Sequence, residues 1–454
     1  MSGALTPLRR VGYGIGDIGF NLFFTTASLY LLFFYTEAMG LPPATAGWIF
    51  AVALVWDAVT DPVMGYLASR TRSRWGRYRP WLLFGTVPLA ASWVLMFVPT
   101  GLAGLSLTLF ALATHMLFRT LYTVVSMPYL SLSAAMTADS NERGLLASIR
   151  MLSATAAGLF IAFFTLKLVA AFGGGDARTG WLWVAILYSA LSCLILFTTF
   201  AATREDTDID EGPLPTIADM IRMLRANGAF WLIACWLLMG SIASTLFGKT
   251  LPYWFKYGLN DEAGIGPALA TITATAMLGI PLWTLVMRRT SKRFITIAGG
   301  LVGMVGYTGF FLGSTGAPLY AALAVMGLGA GAGYLAFWAM VPDTVELGAF
   351  RTGVRAEGMI FGVISFVQKA ALGISVGLLG ELLAAIGYVA NRPQSADTLL
   401  AMERLMLWGP IGCGLAGLAL IARYPLDRRL HGRLVRALAW RRIRTSSPSA
   451  PPPA

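Results

Sequence analysis

Runs of about twenty apolar residues recur along the chain, separated by short polar loops. They fall near 12–35, 44–67, 81–99, 105–134, 145–172, 179–202, 230–255, 266–287, 294–313, 318–341, 359–386 and 405–422. At roughly 1.5 Å rise per residue, a helix of that length crosses the hydrocarbon of a bilayer. Lipid offers no partner for a bare backbone, so each run is expected to be helical. Composition agrees: 57% of the 454 residues are hydrophobic and 12% are charged, where soluble domains carry about 25% charged residues. The expected fold is an all-α membrane protein of twelve transmembrane helices.

The loops set the topology. Arg9 and Arg10 precede the first run, and Arg70, Arg72, Arg74, Arg77 and Arg79 follow the second. Arg288, Arg289, Lys292 and Arg293 fill the eighth loop, and Arg351 and Arg355 the tenth. Eight arginines, from Arg423 to Arg444, follow the last run. All lie on one side of a twelve-span chain, so both termini are expected in the cytoplasm. The net charge of +12 is thus a positive-inside pattern, and no nucleic-acid partner is expected. No cleavable signal is read at the N-terminus; the first span itself is the expected targeting element. Cys193, Cys235 and Cys413 stand apart within apolar runs, so neither disulfides nor a cysteine-held metal is expected.

The expected domains are a six-helix bundle over 1–203, a linker over 204–229, a second six-helix bundle over 230–424 and a basic, Pro/Ser-rich cytoplasmic tail over 425–454. The linker is acidic and flexible by composition from Arg204 to Pro213, and Thr216 with Asp219 forms a helix-capping box within it. Gly299, Gly300, Gly303, Gly306 and Gly309 in the ninth run, and Gly327, Gly329, Gly331 and Gly333 in the tenth, lie inside apolar spans. They are read as close helix packing rather than as phosphate loops.

Charges inside a span are costly without water, a partner or a bound cation. Asp57 and Asp61 lie one helical turn apart in the second span. So do Asp17 and Asn21 in the first. Arg119, Tyr122, Thr123 and Ser126 make one polar stripe in the fourth, Arg150 opens the fifth and Lys369 lies within the eleventh. Lys167, Lys249, Lys256 and Glu381 sit nearer span ends and are read as snorkelling. His115 is read as a hydrogen-bonded packing residue. For Asp57 and Asp61 two readings stand. One is a structural salt bridge to Lys369 or an arginine. The other is a cation site, in which two close carboxylates resist joint ionisation unless a cation neutralises them. Thr123 would add a hydroxyl oxygen, and Lys369 would compete with the cation.

Several motifs then occur in order: Tyr13-Gly14-Ile15-Gly16-Asp17; Trp56-Asp57-Ala58-Val59-Thr60-Asp61-Pro62; Arg72-Ser73-Arg74-Trp75-Gly76-Arg77-Tyr78-Arg79-Pro80-Trp81; Pro128; Glu142-Arg143; Arg150; Asp343; Arg351-Thr352-Gly353-Val354-Arg355-Ala356-Glu357-Gly358; and Gln368-Lys369. With these the chain resembles the glycoside–pentoside–hexuronide:cation symporters, a branch of the major facilitator superfamily typified by the melibiose permeases. The resemblance implies a cation site at Asp57, Asp61 and Thr123, coupling through Lys369, and an arginine lining the central cavity at Arg150. It also implies a cytoplasmic gate of Arg143, Asp343, Arg351 and Arg355.

The departures concern the sugar. Where melibiose permeases place galactosyl-binding aspartates this chain has Asn21 and Ser126, and Leu130 replaces a stacking tryptophan. Melibiose is therefore not the expected substrate. Asn21, Arg119, Tyr122, Ser126, Arg150, Tyr334 and Trp338 are the candidate substrate residues. Arg119 is either the partner of a substrate carboxylate or the internal partner of Asp57 or Asp17. The expected function is Na+- or H+-coupled transport of a sugar, glycoside or uronide by a monomer in the cell membrane, the inner membrane in a Gram-negative cell. No cofactor, no metal beyond a coupling Na+ and no enzymatic activity are expected. A lysolipid carrier and a non-transporting sensor of the same fold remain as alternatives.

Overall fold

The computed structural model describes residues 5–137, 140–205, 222, 224–313, 315–352 and 357–425. Its described residues are helices joined by short connections. Thr6 caps α1, Pro7–Gly14, and Ile15 separates it from α2, Gly16–Phe33. There follow α3 Pro43–Arg70, α4 Arg79–Met96, α5 Gly104–Met136, α6 Ser140–Gly173 and α7 Ala177–Ala202. Then come α8 Gly228–Gly248, α9 Ile265–Arg289, α10 Lys292–Leu312, α11 Ala317–Thr352, α12 Glu357–Ala385 and α13 Ala396–Ala422.

Local chemistry sets the ends. Asp176 accepts the Arg178 and Thr179 amides and the Thr179 hydroxyl at the start of α7. Those bonds, the hydroxyl first, hold its carboxyl below the usual carboxylate range. Ser291 caps α10 through the Phe294 amide. Asn227 accepts the Phe230 amide and donates to the Thr344 carbonyl, fixing α8.

Among the described residues, eleven segments are long and apolar enough to cross a membrane. The expected span at 81–99 is present as α4, whose 18 residues begin at Arg79, and it is the one that falls short of that standard. The tenth expected span ends at 341 in the sequence reading, but α11 continues to Thr352. The capping box at Thr216 and Asp219, and the tail beyond Pro425, lie outside the described residues.

Residues cluster into two compact units. One comprises Met1–Asp210, Ser244–Thr273 and Lys369–Met406; the other comprises Glu211–Ala243, Ala274–Gln368 and Leu407–Ala454. In the first, α3 packs on α5, α4 on α5 and α7, and α2 on α6 and α7. Its core is aromatic: Trp93 meets Phe23, Phe97 and Phe118, and Trp181 stacks on Phe97. In the second, Phe230, Ile233, Trp283, Ile295, Phe337, Met340 and Tyr424 form the core. There α10 and α11 approach until backbones touch: a Cβ on Gly329 would lie 2.5 Å from the Gly303 nitrogen, and one on Gly306 2.6 Å from the Met326 nitrogen. The glycine runs are a packing seam, as their place inside apolar spans predicts.

Two breaks in helical regularity match each other. After α2 the chain makes a π-helical turn at Phe34–Ala38; after α8 and the short turn Leu251–Tyr253 it makes another at Trp254–Gly258. The Met39 amide bonds the Phe34 carbonyl and the Leu41 amide that of Tyr35; Leu259 with Trp254 and Asp261 with Phe255 repeat both bonds. Six residues after each turn begins stands a left-handed residue, Gly40 at φ 77° and Asn260 at φ 54°. Glycine and asparagine are the residues that adopt this conformation most readily.

Candidate functional site

Asp57 and Asp61 project from one side of α3, and Thr123 faces them from α5. The Thr123 hydroxyl oxygen lies 2.7 Å from Oδ1 of Asp57 and 2.8 Å from Oδ1 of Asp61. A hydroxyl has one proton to donate, so it satisfies one carboxylate at a time. Lys369 enters from α12. Its Nζ lies 2.8 Å from Oδ2 of Asp57 and also binds Oδ2 of Asp61. Asp57 is 1% exposed, and its Oδ2 also faces Arg119 Nη1 at 3.8 Å. Pro62 follows within α3 and has no N–H to give to the Ala58 carbonyl, which loosens the helix at the carboxylate pair.

Of the two sequence readings of this pair, the salt bridge to Lys369 is the one the structure displays. The carboxylates are bridged by an ammonium, and the ammonium occupies the place a small cation would need. Two carboxylates, one lysine and one arginine balance to zero charge, which lets the group stay buried. The carboxylate and hydroxyl oxygens gathered here are of the type that hard cations take as ligands.

The remaining candidates separate into places. Arg119, 2% exposed, donates to Nε2 of His115 at 3.3 Å besides facing Asp57. Its internal partner is thus Asp57, and His115 is a packed acceptor. Arg150 pairs with Asp17 at 3.5 Å and lies over the Tyr129 ring at 5.4 Å. Asn21 is held along its own helix, donating to the Asp17 carbonyl and accepting from Thr25. Tyr122 stacks on Phe24 and meets Phe20 edge-on. Ser126 is buried, and Leu130 is exposed. Tyr334 and Trp338 lie in the second unit, one turn apart on α11 with rings 6.5 Å apart; they are 50% and 39% exposed.

Of the expected gate, Arg143 is exposed on α6. Asp343 binds Lys292 through both oxygens at 2.8 Å. Arg351 donates to the Ala226 carbonyl at 2.6 Å. Arg355 lies outside the described residues.

The four charges read as snorkelling each have a protein partner, and Glu381 is exposed as well. Lys249, 7% exposed, donates to the Ser28 carbonyl. Lys256 pairs with Glu37 at 2.5 Å. Glu381 accepts from the Trp48 indole at 2.6 Å. Lys167 lies 3.7 Å above the Phe163 ring.

Sequence reasoning missed two acids. Glu37 lies in the first π-turn and gathers several donors. Glu205, read as part of a flexible linker, accepts the amides of Arg77, Tyr78 and Arg79 at 2.7, 2.8 and 3.0 Å. Gly76, at φ 106°, leaves room for that carboxylate. The signal for Glu205 was the basic, glycine-containing turn ahead of α4, whose first amides need an acceptor.

Comparison with known proteins places this architecture. Residues 12–428 match the family model described as MFS/sugar transport protein. The isoprimeverose transporter of Lactiplantibacillus pentosus is 33% identical over 92% of this chain and 89% of its own length. The glucuronide carrier protein homolog of Escherichia coli (strain K12) is 29% identical over 94% of each chain. The crystal structure of nucleoside transporter NupG shares the fold, with a TM-score of 0.67 at 10% identity over 92% of this chain and all of that one. The chain is a multi-pass membrane transporter rather than an enzyme, and it belongs to the sugar-transport family of the major facilitator superfamily, in its glycoside–pentoside–hexuronide:cation symporter branch.

Proposed function

We propose that the protein carries a sugar, glycoside or uronide across the membrane together with Na+ or H+, by alternating access. The observation that carries this reading is the convergence of Asp57, Asp61, Thr123 and Lys369 on one buried spot. A cation entering there displaces Lys369 from the carboxylates; the freed lysine and its helix then move. That gives ion occupancy a differential effect on two conformations, which coupling requires. Asp57, Asp61 and Thr123 act as cation ligands, and Lys369 as the coupling residue. Asn21, Tyr122, Ser126, Arg150, Tyr334 and Trp338 serve the substrate, and Arg119 tunes Asp57. Arg143, Asp343, Arg351 and Arg355 form the cytoplasmic gate.

The matching π-turns support a chain of two repeated six-helix halves; the arginine-rich loops favour both termini in the cytoplasm, and one chain is the proposed working unit. A glycoside is favoured as substrate because relatives named for isoprimeverose and glucuronide transport align over nearly the whole chain. Right-side-out vesicles energised with a Na+ gradient, and separately with a pH gradient, test this. Isoprimeverose, a methyl glucuronide and neutral glycosides are the probes. Accumulation of at least one under at least one gradient is expected. Equal levels inside and outside for every probe, under both gradients, would contradict it.

A further inference from the structure

Within the first unit, segments from the second half of the sequence are tied to α2 and α3 at one end of those helices. Glu37 is the hub. One carboxylate oxygen accepts from Lys256 and from Tyr257, each at 2.5 Å. The other accepts from the Tyr388 hydroxyl. Asn391, itself left-handed at φ 56°, donates its side-chain amide to the Glu37 carbonyl at 2.7 Å and its backbone amide to Tyr257. Thr36 and Tyr253 share a hydrogen bond of 2.8 Å. Close backbone contact extends the seam: a Cβ on Gly380 would lie 2.5 Å from the Pro43 carbonyl, and one on Gly47 3.0 Å from the Gly380 Cα.

The hub joins the two π-turns to each other, because Glu37 stands in the first and Lys256 and Tyr257 in the second. A π-turn carries one residue more than the α-helix would hold, and such turns are kept mostly where function needs them. Here the extra residue turns charged and phenolic side chains toward one carboxylate. The bonds are charge-assisted and so hold well while the hub is dry. A cavity of about 460 Å³ opens beside it, lined in part by Phe33, Glu37, Lys167, Lys256 and Asn391. Water entering there solvates the same groups and offsets most of what their separation loses.

We propose that Glu37 is the positioning residue of a latch at the end of α2 away from Arg9 and Arg10, the end the loop charges assign to the outer face, and that the latch must part in every transport cycle. The proposal rests on the alternating-access reading above. When the Glu37 bonds are made, the path from that face to Asp57 is shut; when they part, it opens.

The test needs no substrate. Cys193, Cys235 and Cys413 are replaced by alanine and Ser126→Cys is introduced as a reporter. Labelling by a membrane-impermeant thiol reagent is then timed in right-side-out and inside-out vesicles. Glu37→Gln should raise the labelling rate from the outer face about tenfold, the effect of one lost charge-assisted hydrogen bond on a two-state equilibrium. The rate from the inner face should fall. Tyr388→Phe should shift both rates the same way by less, and Glu37→Asp should return them toward the parent. Unchanged rates in Glu37→Gln, or faster labelling from the inner face, would overturn the latch. If Glu37→Gln fails to reach the membrane, Tyr388→Phe decides alone by the same criterion. Failure of every sugar and gradient in uptake would sink the transport reading and leave this accessibility result intact.

Discussion

Lys369 is a single side chain with two acidic partners in a setting where charge is expensive. Removing one member of a buried ion pair costs about 3–5 kcal/mol because its partner is left uncompensated. In Lys369→Ala both Asp57 and Asp61 lose their ammonium, and with Arg119 still beside Asp57 one negative charge is left for a bound proton or cation to neutralise. The variant should therefore bind its coupling ion about tenfold more tightly, with slower release and weaker accumulation. Ion dependence of substrate binding in membranes measures this. Unchanged ion dependence would mean that Lys369 and the ion do not share a site. These four side chains were legible in the sequence because intramembrane charge is rare and each one asks for a reason. Glu37 was not. An acid at the end of a span is ordinary, and its partners Lys256, Tyr257 and Tyr388 lie 219, 220 and 351 residues away. Nothing local points to them.

Among the helices, α4 shows how an element weak by its own composition is fixed by a residue far along the chain. It has 18 residues and opens Arg79-Pro80. Its start is held by Glu205, which takes three backbone amides from the turn before it. Arg79 closes the same corner, donating to the Phe200 carbonyl at 2.8 Å and lying over the Phe200 ring. Glu205→Ala should cost about 1–2 kcal/mol, the usual loss for a helix cap. It should lower the thermal midpoint of the detergent-solubilised protein without moving the ion dependence of binding. An unchanged midpoint would contradict the capping role. Helix positions follow from apolar run length, so most spans were legible within a few residues. Their ends were less so, because α11 runs on past its apolar stretch to Thr352. Helical bonding continues wherever side chains pack, whatever their hydropathy. Arg119 shows the same limit at a finer grain. Its place on the polar stripe was readable, but the choice of Asp57 over Asp17 depends on how α3 meets α5.

For the whole molecule, the division of charge is the organising fact. Some ion pairs stay within one half of the sequence: Arg10 with Glu142 at 2.5 Å, and Lys292 with Asp343 at 2.8 Å. The Glu37 hub and the Asp57–Asp61–Lys369 cluster instead join distant parts of the sequence. On the proposed function, such pairs are the ones a transport cycle has to make and break, and the Asp57–Asp61–Lys369 cluster is where the ion would intervene. Purified protein in proteoliposomes, given a glycoside that it carries and an imposed Na+ or H+ gradient, isolates that step. The comparison is wild type against Asp61→Asn, with accumulation of labelled glycoside as the readout. Accumulation by the wild type and its loss in Asp61→Asn under both gradients is the expected result. Equal accumulation by the two would contradict the assignment of the cation to this carboxylate pair.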